Sequence, residues 1–254
     1  MSEWLAKRGK SLASVKDGFV SNAPTAVIFI GLIAALIMVA VVAERFLGDK
    51  KRKNEDTRSE SYRIGRMTTI GMLSAIAVIL NLFSFPLWFA PSFYKIDLSE
   101  LPVIIGAFAL GPVAGVTIET VKIILNLVLN GTNTAFVGEI ANFVMGCAFV
   151  VPAGILYYRD KTKKNALIGL IIACIFSVVA GSLLNAFVLL PAYAKAFGMP
   201  VQAFIDMGAA LNKGIKSMGS FIFLAVAPFN LIKYGLVSLI TMLIYKPVSR
   251  VIKK

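Results

Sequence analysis

The chain has 254 residues, of which 58% are hydrophobic and only 15% are charged, and its mean hydropathy is +0.81. A soluble domain contains about 45–50% apolar and about 25% charged residues, so the composition excludes an ordinary soluble protein and predicts an all-α membrane protein. Long continuous apolar runs also exclude an outer-membrane barrel, whose strands alternate apolar and polar residues. The net charge of +13 comes from basic clusters that abut these runs. Such clusters are typical of cytoplasmic loops, so the charge indicates membrane topology rather than nucleic-acid binding.

The N-terminal segment, residues 1–48, is predicted to contain one additional transmembrane helix at 25–46. Its apolar run is too long for a secretory signal peptide, and no small-residue cleavage site follows it. Residues 49–63 are rich in charge and are predicted to form a flexible cytoplasmic linker. The remainder, 64–254, is predicted to be a core of six transmembrane helices, an arrangement that places the N-terminus outside.

An unusual loop at 84–98 follows the first helix of the core. It carries two prolines and several aromatic residues but few charges, which predicts an ordered lid; an aromatic belt at the membrane interface is the alternative. The aromatic residues expected to cover a ligand are Trp88, Phe93 and Tyr94. The charged residues expected to fix the base of the lid are Lys95 and Asp97.

Residues 102–130 are predicted to form two short helices that meet at Gly111-Pro112, because proline starts a helix readily and breaks an interior. Charge bias supports the break. The basic linker and the basic loop at 159–164 are both expected on the cytoplasmic side, so an even number of spans must separate them. Residues 102–130 must therefore cross the membrane an even number of times, as two short helices do. The other predicted spans are 64–83, 136–157, 166–190 and 221–245, with a surface helix at 201–211.

Several kinds of chemistry are absent from the sequence. It contains no P-loop motif and no histidine, which excludes ATP hydrolysis by this chain, a Ser-His-Asp triad and a histidine-based metal site. Cys147 and Cys174 lie in apolar runs and are interpreted as core residues. The remaining enzymatic hypothesis, an intramembrane enzyme, would have to use Glu119 with Glu139 as its carboxylate pair.

Ionisable residues within apolar spans are costly and usually mark function. Glu119 and Lys122 lie three positions apart, so they share a helix face and also fit a structural ion pair. Other polar residues cluster towards one membrane face, beside the predicted lid. A few fixed polar groups in an aromatic wall suit a small flat ligand. The alternative is that the asparagines form hydrogen bonds between neighbouring helices, as they often do in membranes. The predicted ligand-binding residues are Glu139, Asn142, Asn185, Asn230 and Lys233.

The role of Lys233 has two interpretations. Either it donates to the ligand, or it is a structural charge paired with Glu119 or Glu139. On the first span, Gly71 and Ala75 form a small-x-x-x-small pair, widened by Ala77. Small residues let a second helix approach closely in lipid, so this patch is predicted to dock a partner helix.

The sequence resembles the substrate-binding (S) components of energy-coupling-factor vitamin transporters, and most closely their riboflavin-specific branch. The similarity covers about residues 64–250, and the motifs are specific as an ordered set. The matching segments are 93–102, 106–115, Glu119-Thr120-Val121-Lys122, Gly138-Glu139-Ile140-Ala141-Asn142-Phe143, 185–191 and Asn230-Leu231-Ile232-Lys233. The N-terminal helix departs from the six-helix form of the family.

The resemblance implies a multi-pass protein of the prokaryotic plasma membrane that binds a vitamin and transforms nothing. It implies capture at the outer face beneath the first outer loop, followed by association with a transmembrane coupling subunit and two cytoplasmic ATPases. In the riboflavin branch, the positions that correspond to Asn185 and Lys233 contact the flavin. No cofactor is implied beyond the transported riboflavin, and an S component for another flat vitamin is the alternative.

Overall fold

The structure, a computed structural model, describes residues 23–48, 60–132, 134 and 136–244. Parts of the predicted N-terminal segment, linker and C-terminus (1–22, 49–59 and 245–254) lie outside the described residues, so the predicted division of the chain stays a prediction. The helices are α1 (Ala23–Gly48), α2 (Glu60–Leu82), α3 (Glu100–Leu110), α4 (Pro112–Asn130), α5 (Val137–Arg159), α6 (Lys163–Phe197), α7 (Val201–Leu211) and α8 (Met218–Leu243).

Long apolar helices dominate the fold, as the composition predicts. Within the described residues, five helices are long and apolar enough to cross a membrane: α2, α4, α5, α6 and α8. Helix α3 has only 11 residues, which corresponds to about 16 Å against a hydrocarbon core of about 30 Å. The all-α membrane class is therefore confirmed, whereas the count of six core spans plus one stays a prediction.

The chain turns sharply between α3 and α4, where the sequence predicts a break. Gly111 has φ 105°, a conformation that side chains disfavour, and Pro112 begins α4. The two helices then pack closely. A Cβ added at Gly115 would lie 2.7 Å from the Cβ of Ala107, so glycine is needed for this approach.

Two wide turns interrupt the long helices that carry the predicted ligand-binding residues. Asn185–Leu189 in α6 and Ile222–Val226 in α8 are π-helical. Each precedes a proline, Pro191 or Pro228, which lacks an N–H and collides with the carbonyl four residues earlier in a regular helix. The π turn accommodates the proline, and such turns are frequent at functional sites.

The segment 84–98, the predicted lid, contains a short hairpin that the sequence did not predict. Phe85–Pro86 pairs antiparallel with Lys95–Ile96, with Phe85 opposite Ile96. Ile96 is 2% exposed, so this strand of the hairpin packs one side chain into the protein interior.

A cluster of charged residues lies at the centre of the helix bundle. Lys122 Nζ contacts Glu119 Oε2 at 2.7 Å and Glu100 Oε1 at 2.9 Å, and no side chain of the three is more than 1% exposed. Gly146 of α5 packs against this cluster, since a Cβ there would lie 2.5 Å from Glu119 Oε1. The predicted structural pair of Glu119 with Lys122 is therefore observed, and Glu100 joins it. Both Cys147 and Cys174 are buried, as expected of core residues.

The Lys122→Met variant tests how much this cluster contributes to stability. Removing the cation leaves two carboxylates buried without their shared partner, which should lower the free energy of unfolding by about 3–5 kcal/mol. Thermal unfolding of the detergent-solubilised protein measures the effect. Lys213→Met, at an exposed loop position, is the matched control and should melt like the wild type. Equal midpoints for the two variants would contradict the prediction.

Candidate functional site

A single cavity of about 960 Å³ brings most of the predicted site residues together. It lies between the lid, the end of α4, the start of α5, and helices α6 and α8. Its volume is within the range of about 300–1,000 Å³ that small-molecule sites occupy. The predicted residues that line it are Phe93, Tyr94, Lys95, Asp97, Glu139, Asn142, Asn185, Asn230 and Lys233.

The Asn185 amide is held by contacts with its own helix and with the lid. Its Oδ1 accepts a hydrogen bond from the Tyr94 hydroxyl at 2.5 Å, and its Nδ2 donates to the Gly181 carbonyl at 2.8 Å. Burial, with a smaller contribution from Tyr193, raises the pKa of the Tyr94 phenol well above its usual value, so the hydroxyl stays a donor. One N–H and one acceptor lone pair of the amide remain for a ligand.

Asn230 is fixed in a similar way on α8. Its Nδ2 donates to the Val226 carbonyl at 2.9 Å. A Cβ added at Gly181 would lie 2.8 Å from this nitrogen, so α6 and α8 meet closely at the glycine. Gly181 thereby brings Asn185 and Asn230, from two different helices, to the same wall of the cavity.

Lys233 pairs with the base of the lid rather than with a residue of another span. Its Nζ lies 3.3 Å from Asp97 Oδ2, and the two side chains are 5% and 3% exposed. The interpretation in which Lys233 pairs with Glu119 or Glu139 is therefore wrong. The two predicted partners are carboxylates of the helices, whereas the packing of the lid places the Asp97 carboxylate beside Lys233.

Asp97 stays ionised at neutral pH. Burial raises the pKa of this carboxyl, but the charges of Lys233 and Lys122 and hydrogen bonds from Ser99 outweigh burial and lower the pKa to about 2. The Ser99 N–H donates to Asp97 Oδ1 at 2.8 Å, and the Ser99 hydroxyl contacts the same oxygen. The expected role of Asp97 at the base of the lid thus has a structural explanation, because it joins the lid to α8.

A second part of the cavity is lined by hydroxyl, amide and carboxylate groups. Glu139 Oε2 accepts hydrogen bonds from Thr132 at 3.1 Å and Thr134 at 3.0 Å, and Asn130 donates to Asn126 at 2.6 Å. The two asparagines and the threonines are not among the residues that the sequence predicts for the site. The spacing of Asn126 and Asn130, four positions apart near the end of α4, is the signal that could have identified them.

Aromatic rings form the wall between the lid and the helices. Phe93 lies 4.5 Å from Tyr94 and 5.7 Å from both Tyr193 of α6 and Phe204 of α7, between ring centroids. Tyr94 also lies 5.2 Å from Phe229 of α8. The predicted surface helix α7 therefore packs under the lid and holds Phe93 in place.

Some predicted residues lie apart from the cavity. Trp88 is 83% exposed, and its ring contacts Phe89, so it does not cover the cavity with Phe93 and Tyr94. Gly71 and Ala75 lie on the outward face of α2, where a helix could approach. Ala77 is fully buried on the inward face and does not widen that patch, contrary to the prediction.

The hypothesis of an intramembrane enzyme required Glu119 and Glu139 to act as a pair. Glu139 lines the cavity and binds the threonines of the α4–α5 loop. Glu119 instead contacts Lys122 in the helix bundle and is not among the lining residues of the described cavity. The arrangement favours holding a solute over transforming it.

Comparisons with known proteins identify the family of the chain. A family model described as "ECF transporter, substrate-specific component" matches residues 65–245. The riboflavin transporter RibU of Staphylococcus aureus (strain TCH60) is 35% identical over 189 residues, which cover 74% of this chain and 93% of that protein. The riboflavin transporter FmnP of Bacillus subtilis (strain 168) is 29% identical over 72% of this chain and 91% of its own length.

A solved structure shows the same fold. The S component of a bacterial ECF transporter superposes with a TM-score of 0.59 and 32% sequence identity, over 76% of this chain and 99% of that one. The chain therefore belongs to the substrate-specific components of ECF transporters, integral membrane proteins that bind a solute and are not enzymes.

Proposed function

We propose that this chain is the riboflavin-binding subunit of an ECF-type uptake transporter. It captures the vitamin at the outer face and delivers it through a transmembrane coupling subunit and two ATPases. The observation that carries the proposal is the cavity in which Asn185, Asn230 and Lys233 meet an aromatic wall. The similarity to RibU and FmnP, both named as riboflavin transporters, supports this choice of ligand.

The amide and ammonium groups fit the isoalloxazine ring of riboflavin. This ring has carbonyl and ring-nitrogen acceptors and one N–H donor, and its flat faces stack on aromatic side chains. An amide serves a donor and an acceptor at once, and an ammonium donates three hydrogen bonds. Asp97 accepts one donor of Lys233, which leaves further N–H groups of this lysine for the ring.

The polar part of the cavity fits the ribityl tail. A chain of hydroxyl groups can donate to Glu139 and exchange hydrogen bonds with Asn126, Asn130 and Thr134, all of which line the cavity. The cavity thus offers a flat aromatic region and a polyol region side by side. A flat vitamin without a polyol tail would make no hydrogen bonds with the second region.

Delivery requires partners, because the sequence contains no P-loop that could bind ATP. The outward face of α2 is the proposed docking surface for the coupling subunit. Gly71 has no atom within 4 Å of the position of an added Cβ, so the space beside it is open to a closely packing helix.

The first experiment separates a ligand contact of Lys233 from its structural pairing with Asp97. Lys233→Met alone leaves the Asp97 carboxylate without its nearest cation, so we compare it with the double variant Asp97→Asn/Lys233→Met. The double variant should recover thermal stability, because no charge is left unpaired. Its riboflavin affinity, measured by fluorescence titration, should still be weaker by about 1–3 kcal/mol, or about 5- to 150-fold. Wild-type affinity in a stable double variant would show that Lys233 does not contact the flavin.

The second experiment tests the assignment of the polyol region. Asn130→Ala should weaken riboflavin binding by about 0.5–1.5 kcal/mol, or about 2- to 13-fold, because one hydrogen-bonding group is lost. Lumiflavin, which has the same ring but a methyl group in place of the ribityl tail, is the matched control ligand. Its affinity should be the same in the variant and the wild type. An equal loss for both flavins would place the ring, rather than the tail, next to Asn130.

The third experiment tests the docking surface. Gly71→Leu adds bulk on the outward face of α2, and Gly235→Leu adds it on α8, where an added Cβ also has no neighbour within 4 Å. Both variants should bind riboflavin like the wild type. Only Gly71→Leu should abolish uptake in cells that supply the coupling subunit and ATPases. Normal uptake by this variant would exclude the proposed surface.

A further inference from the structure

Helix α1 precedes the part of the chain that the family model matches. The family match begins at residue 65, and the superposed S component is covered over 99% of its own length. Helix α1 (Ala23–Gly48) precedes the matched region, yet it packs against α4 and α5 of the core. Leu32, Leu36 and Ala40 recur every four residues and face the core, and Ala40 is only 1% exposed.

Glu44 continues this row by one more turn, and its carboxylate joins α1 to two other helices. Its Oε2 accepts a hydrogen bond from the Val113 N–H in the first turn of α4 at 3.1 Å. Its Oε1 accepts one from Arg66 of α2 at 3.3 Å. A Cβ added at Gly111 would lie 2.9 Å from Oε2, so the turn between α3 and α4 leaves room for the carboxylate.

The chemistry of this contact depends on the charge of Glu44. The first N–H groups of a helix lack partners within the helix and carry a partial positive charge, so a carboxylate at the start of α4 is favourable. The Glu44 and Arg66 side chains are 11% and 25% exposed, so water screens their attraction only in part.

The contact lies far from the cavity and close to the proposed docking surface. Asn130, which lines the cavity, is 18 residues along α4 from Pro112, or about 27 Å in a helix. Arg66 precedes Gly71 on α2 by five residues, or about 7.5 Å. Glu44 therefore lies closer to the proposed docking surface than to the polar end of the cavity.

We propose that α1 is a built-in clamp, in which Glu44 holds Arg66 of α2 against the first turn of α4 and so sets the orientation in which α2 meets the coupling subunit. This inference rests on the proposed function of the Gly71–Ala75 face. An α1 that only anchored the chain in the membrane would require its apolar faces but no carboxylate at this position.

The Glu44→Gln variant tests the clamp, because glutamine keeps the shape and the acceptor but removes the charge. Riboflavin affinity should stay within about twofold of the wild type, while uptake should fall about fivefold, which corresponds to a loss of about 1 kcal/mol for the ion pair with Arg66. Arg66→Gln should reproduce the loss, and the double variant should be no worse than either single one, since both remove the same pair. Glu60→Gln, at an exposed position on α2, is the matched control and should leave uptake unchanged.

Three outcomes would overturn the clamp: normal uptake by Glu44→Gln, additive losses in the double variant, or a parallel loss of riboflavin affinity. The wild-type titration separates this proposal from the proposed function. If the wild-type protein binds no flavin, the assigned ligand is wrong. If it binds and transports riboflavin but Glu44→Gln does so equally well, the clamp alone is wrong.

Discussion

The buried ammonium of Lys122 is the group on which the rest of the structure depends. It contacts Glu100 and Glu119, and its Nζ also donates to the Ser99 hydroxyl at 3.2 Å. Through Ser99 the same network reaches Asp97, and through Asp97 it reaches Lys233 in the cavity. Ionised groups in a medium of low dielectric constant must keep their partners, so the positions of α3, α4, the lid and α8 are linked by one set of charges.

This network explains how the cavity is held ready for a ligand. Tyr94 bonds Asn185 and Asp97 bonds Lys233, so two of the polar groups proposed to bind the ring also fasten the lid to α6 and α8. A ligand that uses the remaining donors and acceptors would add to these bonds without breaking them. Binding to a preorganised site costs less conformational entropy than ordering a loose one. The π turns that start at Asn185 and precede Asn230 contribute to the same preorganisation.

The proposed ligand site and the contacts of Glu44 lie at opposite ends of the helix bundle. The lid, the ends of α4 and α6 and the polar residues of the α4–α5 loop surround the cavity. At the other end of α4, the turn at Gly111, the Glu44 carboxylate and Arg66 connect α1, α2 and α4. Helix α4 spans both regions, and its Lys122 binds the network between them. The cavity and the contacts of Glu44 are therefore separated in space, and helix α4 reaches both.

The sequence by itself determined what depends on neighbours along the chain. Apolar run length predicted the helices, proline and glycine predicted the break at Gly111, and helical spacing placed Asn230 and Lys233 on one face. The tertiary structure alone decided which distant groups meet. Lys233 pairs with Asp97, 136 positions away, and Glu100 joins Lys122 although nothing local marks it. Trp88 is exposed, while Tyr94 of the same loop is buried. A charge buried in a membrane protein requires a partner, but local spacing identifies only candidates three or four residues away, and the packing of the helices selects among all the others.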